Sequence, residues 1–288
     1  MNYYKGFNFN ESDKLIRSAL KEDSGKGDLT SKLLIPENSV SKAELLVKED
    51  GIIAGLEIFR SVFKIIDEST IVKLNGKDGQ RVKKGEVIGT VTGNTRKLLL
   101  GERVALNLLQ RMSGIATFTD IITRKLGNKN IKIIDTRKTT PNLRLFEKLA
   151  VTMGGGANHR FGLYDMILIK DNHIEANGGI SKTLEILNKM KDRIKVKVEI
   201  EVKNIKELSI VISKGENIID RIMLDNFSLK DLKKAIVLNA GKFELEVSGG
   251  IDLFNINKYS SLKGIDFISI GALTHSVKSL DISFNFIT

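Results

Sequence analysis

The sequence predicts an α/β fold in two parts, a small α+β region followed by parallel βα units arranged as a barrel. Three observations carry this. From residue 131 the chain repeats a rhythm of strand, loop and helix, which specifies parallel βα units. Before that point, short extended segments are punctuated by Gly76, Gly79, Gly85, Gly89 and Gly93, the spacing of turns between short strands. No Gly-x-Gly-x-x-Gly fingerprint opens a helix, which weighs against an open dinucleotide-binding sheet and toward a barrel.

Taken in order, SDKLIRSALKED predicts a helix with Ser12 as its cap and Leu15, Ile16, Ala19 and Leu20 as its apolar stripe. Extended chain follows in AELLVKEDGIIAG, a helix in LEIFRSVFKII, and strands in IVKL and GEVIGTVTG. A long helical pattern runs through TRKLLLGERVALNLLQRMSGIATFTDIITRKL, where Gly101 and Gly114 are expected to bend or divide it. Strands are predicted at 131–135, 166–169, 196–202, 221–225, 243–247 and 267–271, with helices between them in ISKTLEILNKMKDR, NIKELSIVISKG and SLKDLKKAIVLN. The expected division is a first domain at 1–113, joined by the tail 276–288, and a barrel at 114–275.

Composition narrows the chemistry. Among 288 residues there is no cysteine, which excludes disulfides, thiolate metal sites, iron–sulfur clusters and a cysteine nucleophile. No apolar run reaches about 18 residues, and MNYYKGFNFNESDK lacks the basic-then-apolar layout of a signal peptide. The expected address is the cytoplasm, with no membrane span. Lys and Arg number 46 against 35 Asp and Glu, a net charge of +11, yet lysine supplies 34 of the 46 and the excess is spread along the chain. Such a surface is ordinarily a solvated face. A nucleic-acid partner would need a basic stripe with stacking aromatics, whereas aromatics are 6%, tryptophan is absent and no RNA-binding motif occurs, so none is expected. DGQRVKKGEVIGTVTG has the rhythm of a lipoyl or biotinyl carrier but no acceptor-lysine hairpin accompanies it.

The chemistry gathers where the strands end. The successive strands run into Asp135-Thr136-Arg137-Lys138, Lys170-Asp171-Asn172-His173, Glu201, Asp225-Asn226, Ser248-Gly249-Gly250 and Gly271-Ala272-Leu273-Thr274-His275. Parallel strands point all their following loops at one mouth, where barrel enzymes build their sites. His159, His173 and His275, the only histidines, all lie in such segments. In VKVEIEV, Lys197, Glu199 and Glu201 share one face, and charges facing a barrel interior must be paired, solvated or bound to ligand. Glu201 with Asp225 would suit Mg²⁺ held jointly with substrate phosphates. Ser248 to Gly250 and Gly271 with Ala272 offer backbone N–H groups to a phosphate. Arg103, Arg137, Lys138, His159, Arg160 and Lys170 exceed what one phosphomonoester needs and imply a carboxylate partner as well.

These segments are recognisable together. GERVALNLLQRMSGIAT, DTRKTTPNLRLFEKLAVTMGGGANHRFGLYDMILIKDNHI, VEIEV, IMLDNFS, LEVSGGI and ISIGALTH, in that order, resemble the quinolinate phosphoribosyltransferase family. The resemblance implies an incomplete α/β barrel preceded by an N-terminal α/β sandwich domain. It also implies reaction of quinolinate with phosphoribosyl pyrophosphate to give nicotinate mononucleotide, pyrophosphate and carbon dioxide, an Mg²⁺-dependent step of NAD synthesis. A homodimer is implied, with Arg103 reaching across it to a quinolinate carboxylate. By motif, Thr136, Arg137, Lys138, His159 and Arg160 would line that pocket, Lys170 would help hold the anions, and Glu201 and Asp225 would sit near the ribose and Mg²⁺. Ser248, Gly249, Gly250, Gly271, Ala272 and Leu273 would cradle the 5′-phosphate, with His275 close by. Lys138, Lys170, Glu201 and Asp225 are the expected catalytic residues. Two departures stand out. Asn142 occupies a position where the family has glycine, a turn residue that tolerates positive φ, and VISKGENIID is longer than expected on the side away from the mouth.

Overall fold

In the computed structural model, which describes residues 3–287, the first helix begins ahead of its expected cap. The Asn8 side chain accepts from the Glu11 N–H and starts α1 (Phe9–Ser24). Ser12 is buried within that helix, so it packs and does not cap. After α2 (Leu29–Leu34), capped by Asp28, come β1 (Val40–Val47), β2 (Gly51–Ile52), α3 (Leu56–Ile66), β3 (Ile71–Leu74), β4 (Arg81–Val82) and β5 (Val87–Asn94). The carrier-like stretch DGQRVKKGEVIGTVTG therefore supplies β4 and β5. An antiparallel sheet orders the C-terminal strand Ile282–Ile287 beside β1, then β5 and β3, with Leu45 opposite both Phe284 and Gly89. Period-two alternation buries Ala43, Leu45 and Val47 completely while Lys42 stays exposed. The apolar face of α3 joins this core: Phe63 stacks on Phe284 at 5.8 Å and meets Phe59 at 5.1 Å. Each such ring contributes about 1.5–3 kcal/mol by leaving water.

The long helical pattern forms one unbroken helix, α4 (Thr95–Leu126). Gly101 and Gly114 do not divide it. A Cβ at Gly101 would lie 2.7 Å from Ile66 Cδ1, and one at Gly114 would run into the Lys278 carbonyl oxygen and lie 2.9 Å from Ser279 Cα. Both glycines serve close approach, which outweighs their helix-weakening tendency of about 1 kcal/mol each.

Then follow β6 (Lys132–Ile134), α5 (Arg144–Met153), β7 (Ile167–Ile169), α6 (Asp171–Ala176), α7 (Ile180–Met190), β8 (Val198–Val202), α8 (Ile205–Lys214), β9 (Arg221–Asp225), α9 (Leu229–Asn239), β10 (Glu244–Ser248), β11 (Phe267–Ser269) and the short α10 (Ala272–His275). Six strands form one parallel sheet in the order β6-β11-β10-β9-β8-β7. Among the described residues β6 and β7 do not pair with each other, so the barrel is incomplete; beyond β6 there is only an isolated bridge between Ile134 and Ala157. Each of the six strands predicted from residue 131 onward is present, shortened by one or two residues or shifted by one at its ends, except 221–225, which matches. The expected extra length after β8 lies at the end of α8 and in the turn before β9, where Asn217 takes φ 66°.

Two units emerge, one from Met1–Asp120, Thr139–Gly155 and Leu273–Thr288, the other from Ile121–Lys138 and Gly156–Ala272. This division cuts within α4 and gives 139–155 to the first unit. No helix among the described residues is long and apolar enough to cross a membrane.

Candidate active site

The parallel sheet has an apolar face and a polar one. Val198, Ile200 and Val202 of β8, Ile222 and Leu224 of β9, and Leu245 and Val247 of β10 are all buried and alternate with the other set. On the opposite face, strand register aligns Glu199 with Arg221 and Arg221 with Glu244, then Glu201 with Met223, Glu246 and Phe267, and last Asp225 with Ser248. Barrel interiors are ordinarily filled by branched apolar side chains. Here an ion network links the first two rows: Arg221 Nη1 lies 3.3 Å from Glu246 and 3.8 Å from Glu199, and its guanidinium stacks 3.8 Å over the Phe267 ring.

His159 closes that network and does not stand in the open. Its side chain is 5% exposed, with Nε2 3.0 Å from Glu199 Oε2 and 3.6 Å from Glu246 Oε2. Nδ1 accepts the Arg160 N–H at 2.7 Å, so the ring proton sits on Nε2, facing the carboxylates. Burial raises the pKa of Glu246 to about 8, the charge of Glu199 adding to it and His159, Ser269 and Arg221 opposing. Burial likewise raises Glu199, chiefly against Arg221. These three residues are the one His and carboxylate cluster of metal-binding size among the described residues. Arg221 already supplies its cation.

Nearer the strand ends the cations gather. Buried Asp135 accepts the His159 N–H at 2.9 Å and ties the segment after α5 to the end of β6. Thr136 Oγ1 accepts the Lys138 N–H at 3.0 Å, making a tight turn from which Arg137 and Lys138 project exposed. Arg160 donates to the Met166 carbonyl at 3.2 Å; burial lowers its pKa first and the charge of Arg137 second, with Asp165 and Glu199 opposing. Lys170 is exposed and lies 3.6 Å from Glu201. His173 has a local duty, its Nδ1 accepting the Lys170 N–H at 2.9 Å at the start of α6.

Glu201 is 7% exposed, and its pKa is raised by burial, lowered by Lys170 and raised again by Asp225 and Asp171. A cavity of about 320 Å³ opens beside it, lined by Asp171, Ile174, Glu175, Lys203 and Glu207. Asp225 is half-buried and accepts from Asn226 Nδ2 at 2.7 Å. Asn226 at φ 55° and Gly249 at φ 98° press together: a Cβ on Gly249 would lie 2.9 Å from the Asn226 nitrogen. Only glycine fits there, and the turn is held by the Ser248 carbonyl, which accepts the Asn226 N–H at 2.9 Å, and by the Gly250 carbonyl, which accepts from Asn255 Nδ2 at 2.8 Å. On the neighbouring strand β11, Gly271 and Ala272 lead into α10, where Leu273 is fully buried and His275 is exposed, its Nδ1 2.6 Å from Ser276 Oγ. Arg103 stands exposed on α4 in the other unit, with Glu102 3.9 Å away. Asn142 takes φ 65°, the conformation its position demands.

The structure thus brings Thr136, Arg137, Lys138, Arg160, Lys170, Glu201, Asp225, Ser248, Gly249, Gly250, Gly271 and Ala272 to the C-terminal ends of one parallel sheet, with His159 beneath them. Arg221 and Glu246 were missed, although the alternation in RIMLD and ELEVS that exposes them is the same as in VEIEV. Against known proteins, models of the quinolinate phosphoribosyl transferase N-terminal and C-terminal domains match residues 28–113 and 115–285. The chain is 45% identical over 272 residues to a probable carboxylating nicotinate-nucleotide pyrophosphorylase of Bacillus subtilis, covering 94% of this chain and 92% of that one. A decarboxylating quinolinate phosphoribosyltransferase of Nicotiana tabacum is 42% identical over 287 residues, covering 94% and 80%. Among solved structures, NadC from Streptococcus pyogenes superposes with a TM-score of 0.90 at 41% identity over 96% of this chain and 97% of that one. The nicotinate-nucleotide pyrophosphorylase of Francisella tularensis gives 0.87 at 37% identity, covering 96% of each. With both domain models matched in order along one chain, the protein belongs to the quinolinate phosphoribosyltransferase family.

Proposed function

We propose that this chain transfers the phosphoribosyl group of phosphoribosyl pyrophosphate to the ring nitrogen of quinolinate, yielding nicotinate mononucleotide, pyrophosphate and carbon dioxide. The observation that carries the substrate side is the gathering of Arg137, Lys138, Arg160 and Lys170 on the segments that follow β6 and lead into and out of β7, where burial first and the charge of Arg137 second lower the pKa of Arg160. A dianion with two adjacent carboxylates relieves that repulsion, and planar forks suit it. Lys138 and Lys170 add charge to the same rim, and Arg103 of the partner subunit completes the pocket in a homodimer. His159 is buried among Glu199 and Glu246, so its part is to hold the Arg160 backbone in place.

On the donor side, main-chain N–H groups of Ser248 to Gly250 and of Gly271 to Leu273 receive the 5′-phosphate, with His275 beside them. Glu201 and Asp225 fit Mg²⁺ by their chemistry: both are carboxylate oxygen donors, carried on the neighbouring strands β8 and β9. These two carboxylates would hold the Mg²⁺, whose chemistry there would be neutralisation of charge on the pyrophosphate leaving group. Fixing both substrates turns nitrogen against the anomeric carbon, a proximity effect that can supply several kcal/mol. Glu201 and Asp225 stabilise the positive charge that grows on the ribose as its bond to pyrophosphate breaks. The alkylated ring nitrogen then accepts the electron pair released when the neighbouring carboxylate leaves as carbon dioxide, and that carbon takes up a proton. The proposed location is the cytoplasm.

Purified protein given quinolinate, phosphoribosyl pyrophosphate and Mg²⁺ is expected to release nicotinate mononucleotide, pyrophosphate and carbon dioxide in equal amounts, and quinolinate is expected to win over nicotinate in competition. Absence of product across reasonable pH and metal concentrations would overturn the assignment. Mixing Arg103→Ala with Lys170→Ala protein should restore part of the activity through hybrid dimers; no recovery after verified subunit exchange would remove the shared site.

A further inference from the structure

Glu147 is a carboxylate with no exposed surface, on a helix that carries none of the substrate-binding residues named above. A buried carboxylate is costly unless every lone pair is used. Both of its oxygens are used, and in different directions. Oε2 accepts the Thr140 N–H at 3.0 Å, and Oε1 accepts from Arg111 Nε and Nη2 at 3.1 and 2.9 Å. Arg111, on α4, also donates to two main-chain carbonyls, those of Thr274 and Val277, the latter at 3.2 Å. One ion pair therefore ties down residue 140, two places after Lys138, and residue 274, between Leu273 and His275.

The seat beneath this pair is rigid. A Cβ on Gly154, just past α5, would run into the Ala116 carbonyl and lie 2.7 Å from Thr119 Cβ, so α5 rests directly on α4. Gly114 admits the backbone of Lys278 and Ser279 in the same way, and Gln110 both accepts the Leu280 N–H at 3.0 Å and donates to Ile282 at 2.7 Å. Along one stretch of α4, from Gln110 to Thr119, two segments remote in sequence are fastened to a common support.

We infer that Arg111 and Glu147 are positioning residues that fix the spacing between the cationic loop after β6 and the phosphate loop after β11. The inference rests on the reaction proposed above, in which the first loop holds the acid and the second the phosphoribosyl donor. Neither residue touches substrate. Their effect lies in the relative placement of the two, and an error of about 1 Å there can lower the rate about 100-fold.

Replacing Arg111 alone would strand the fully buried Glu147 charge and destabilise the fold, so Arg111→Met is combined with Glu147→Leu and compared with Glu147→Gln, which keeps the side chain's shape and leaves a charge only on the partly exposed Arg111. Hydrogen exchange comes first, because it needs no activity. Glu147→Gln is expected to speed exchange in 272–278 as well as in 138–142, although Glu147 contacts only the second stretch directly; exchange faster in 138–142 alone overturns the inference. For the folded double variant, kcat is expected to fall about 10- to 100-fold while KM for each substrate moves less than about threefold. Unchanged kcat per folded molecule, or a loss confined to KM for one substrate, also overturns it. Wild-type protein inactive with quinolinate while 272–278 still loosens in Glu147→Gln would count against the proposed reaction and leave the tether standing.

Discussion

In the first unit, the enclosed face of β1 sets Ala43, Leu45 and Val47 against the packed rings of Phe59, Phe63 and Phe284. In the second, one face of β8, β9 and β10 sets Glu199 and Glu246 around Arg221 and His159. Both arrangements follow from the same two-residue alternation of a strand. In the antiparallel sheet the alternation is spent on a core. In the parallel sheet the core lies on the opposite face, with Val198, Ile200, Ile222 and Leu245, leaving the polar face for electrostatics. Stability and chemistry are thus divided between two faces of one sheet, and mutations on each should separate cleanly.

The largest expected effect is on the first unit. Phe63→Ala, which empties the ring stacked on Phe284, should lose about 3–5 kcal/mol of stability by denaturant titration, because the cavity adds to the lost transfer energy. A loss under about 1 kcal/mol would show that this core is dispensable and spoil the contrast. At the rim of the second unit, Arg137→Ala should behave oppositely. Removing a charge-assisted contact to a carboxylate lowers kcat/KM by about 10- to 150-fold, from roughly 1.5–3 kcal/mol, while an exposed side chain changes stability by less than about 0.5 kcal/mol. Equal losses of stability and activity would mean that the rim is structural after all.

Glu246 tests the interior itself. Its folded-state pKa is pushed up to about 8, and it faces Glu199, His159, Arg221 and Ser269. A raised carboxyl pKa means that the native state keeps a proton which the unfolded chain releases. Its contribution is therefore complete below the ordinary carboxyl pKa and is lost as pH rises toward 8. Glu246→Gln, which carries its hydrogen permanently, should flatten the fall in stability over that window and gain roughly 1 kcal/mol at its upper end. A pH profile identical to that of the wild type would place the shared proton elsewhere.

What the sequence discloses follows the same division. Strand ends are legible because polar and glycine residues after each apolar run mark them one by one, and this located Lys170, Glu201, Asp225 and Ser248. Glu246 sits inside a strand, where attention to the ends passes over it, although its alternation with Leu245 and Val247 is plain. His159 looks like a rim residue by its neighbours Asn158 and Arg160, and only the fold shows its ring turned toward Glu199. Gly101 and Gly114 mislead because glycine weakens a helix locally, while the reason for both lies in distant segments that press against them. The Arg111 to Glu147 pair is illegible for that reason too: its partners come from residues 140, 274 and 277, and no local pattern records them.

The smallest expected effect sharpens the comparison at the point where the two kinds of residue meet. Asn142 stands in the turn between the cationic loop and α5, four positions after Lys138, at φ 65°. Left-handed backbone costs a residue with a Cβ about 1–2 kcal/mol, less for asparagine, whose short amide bonds locally, and nothing for glycine. Asn142→Gly should therefore leave stability within about 0.5 kcal/mol, the relief of strain being offset by the greater freedom of the unfolded chain. Asn142→Ala should lose about 1 kcal/mol. If the turn is only scaffold, kcat stays at the wild-type value in both variants. If the turn sets where Lys138 points, the alanine variant alone loses activity in proportion to its strain, and this loop then belongs with the chemistry and not with the frame.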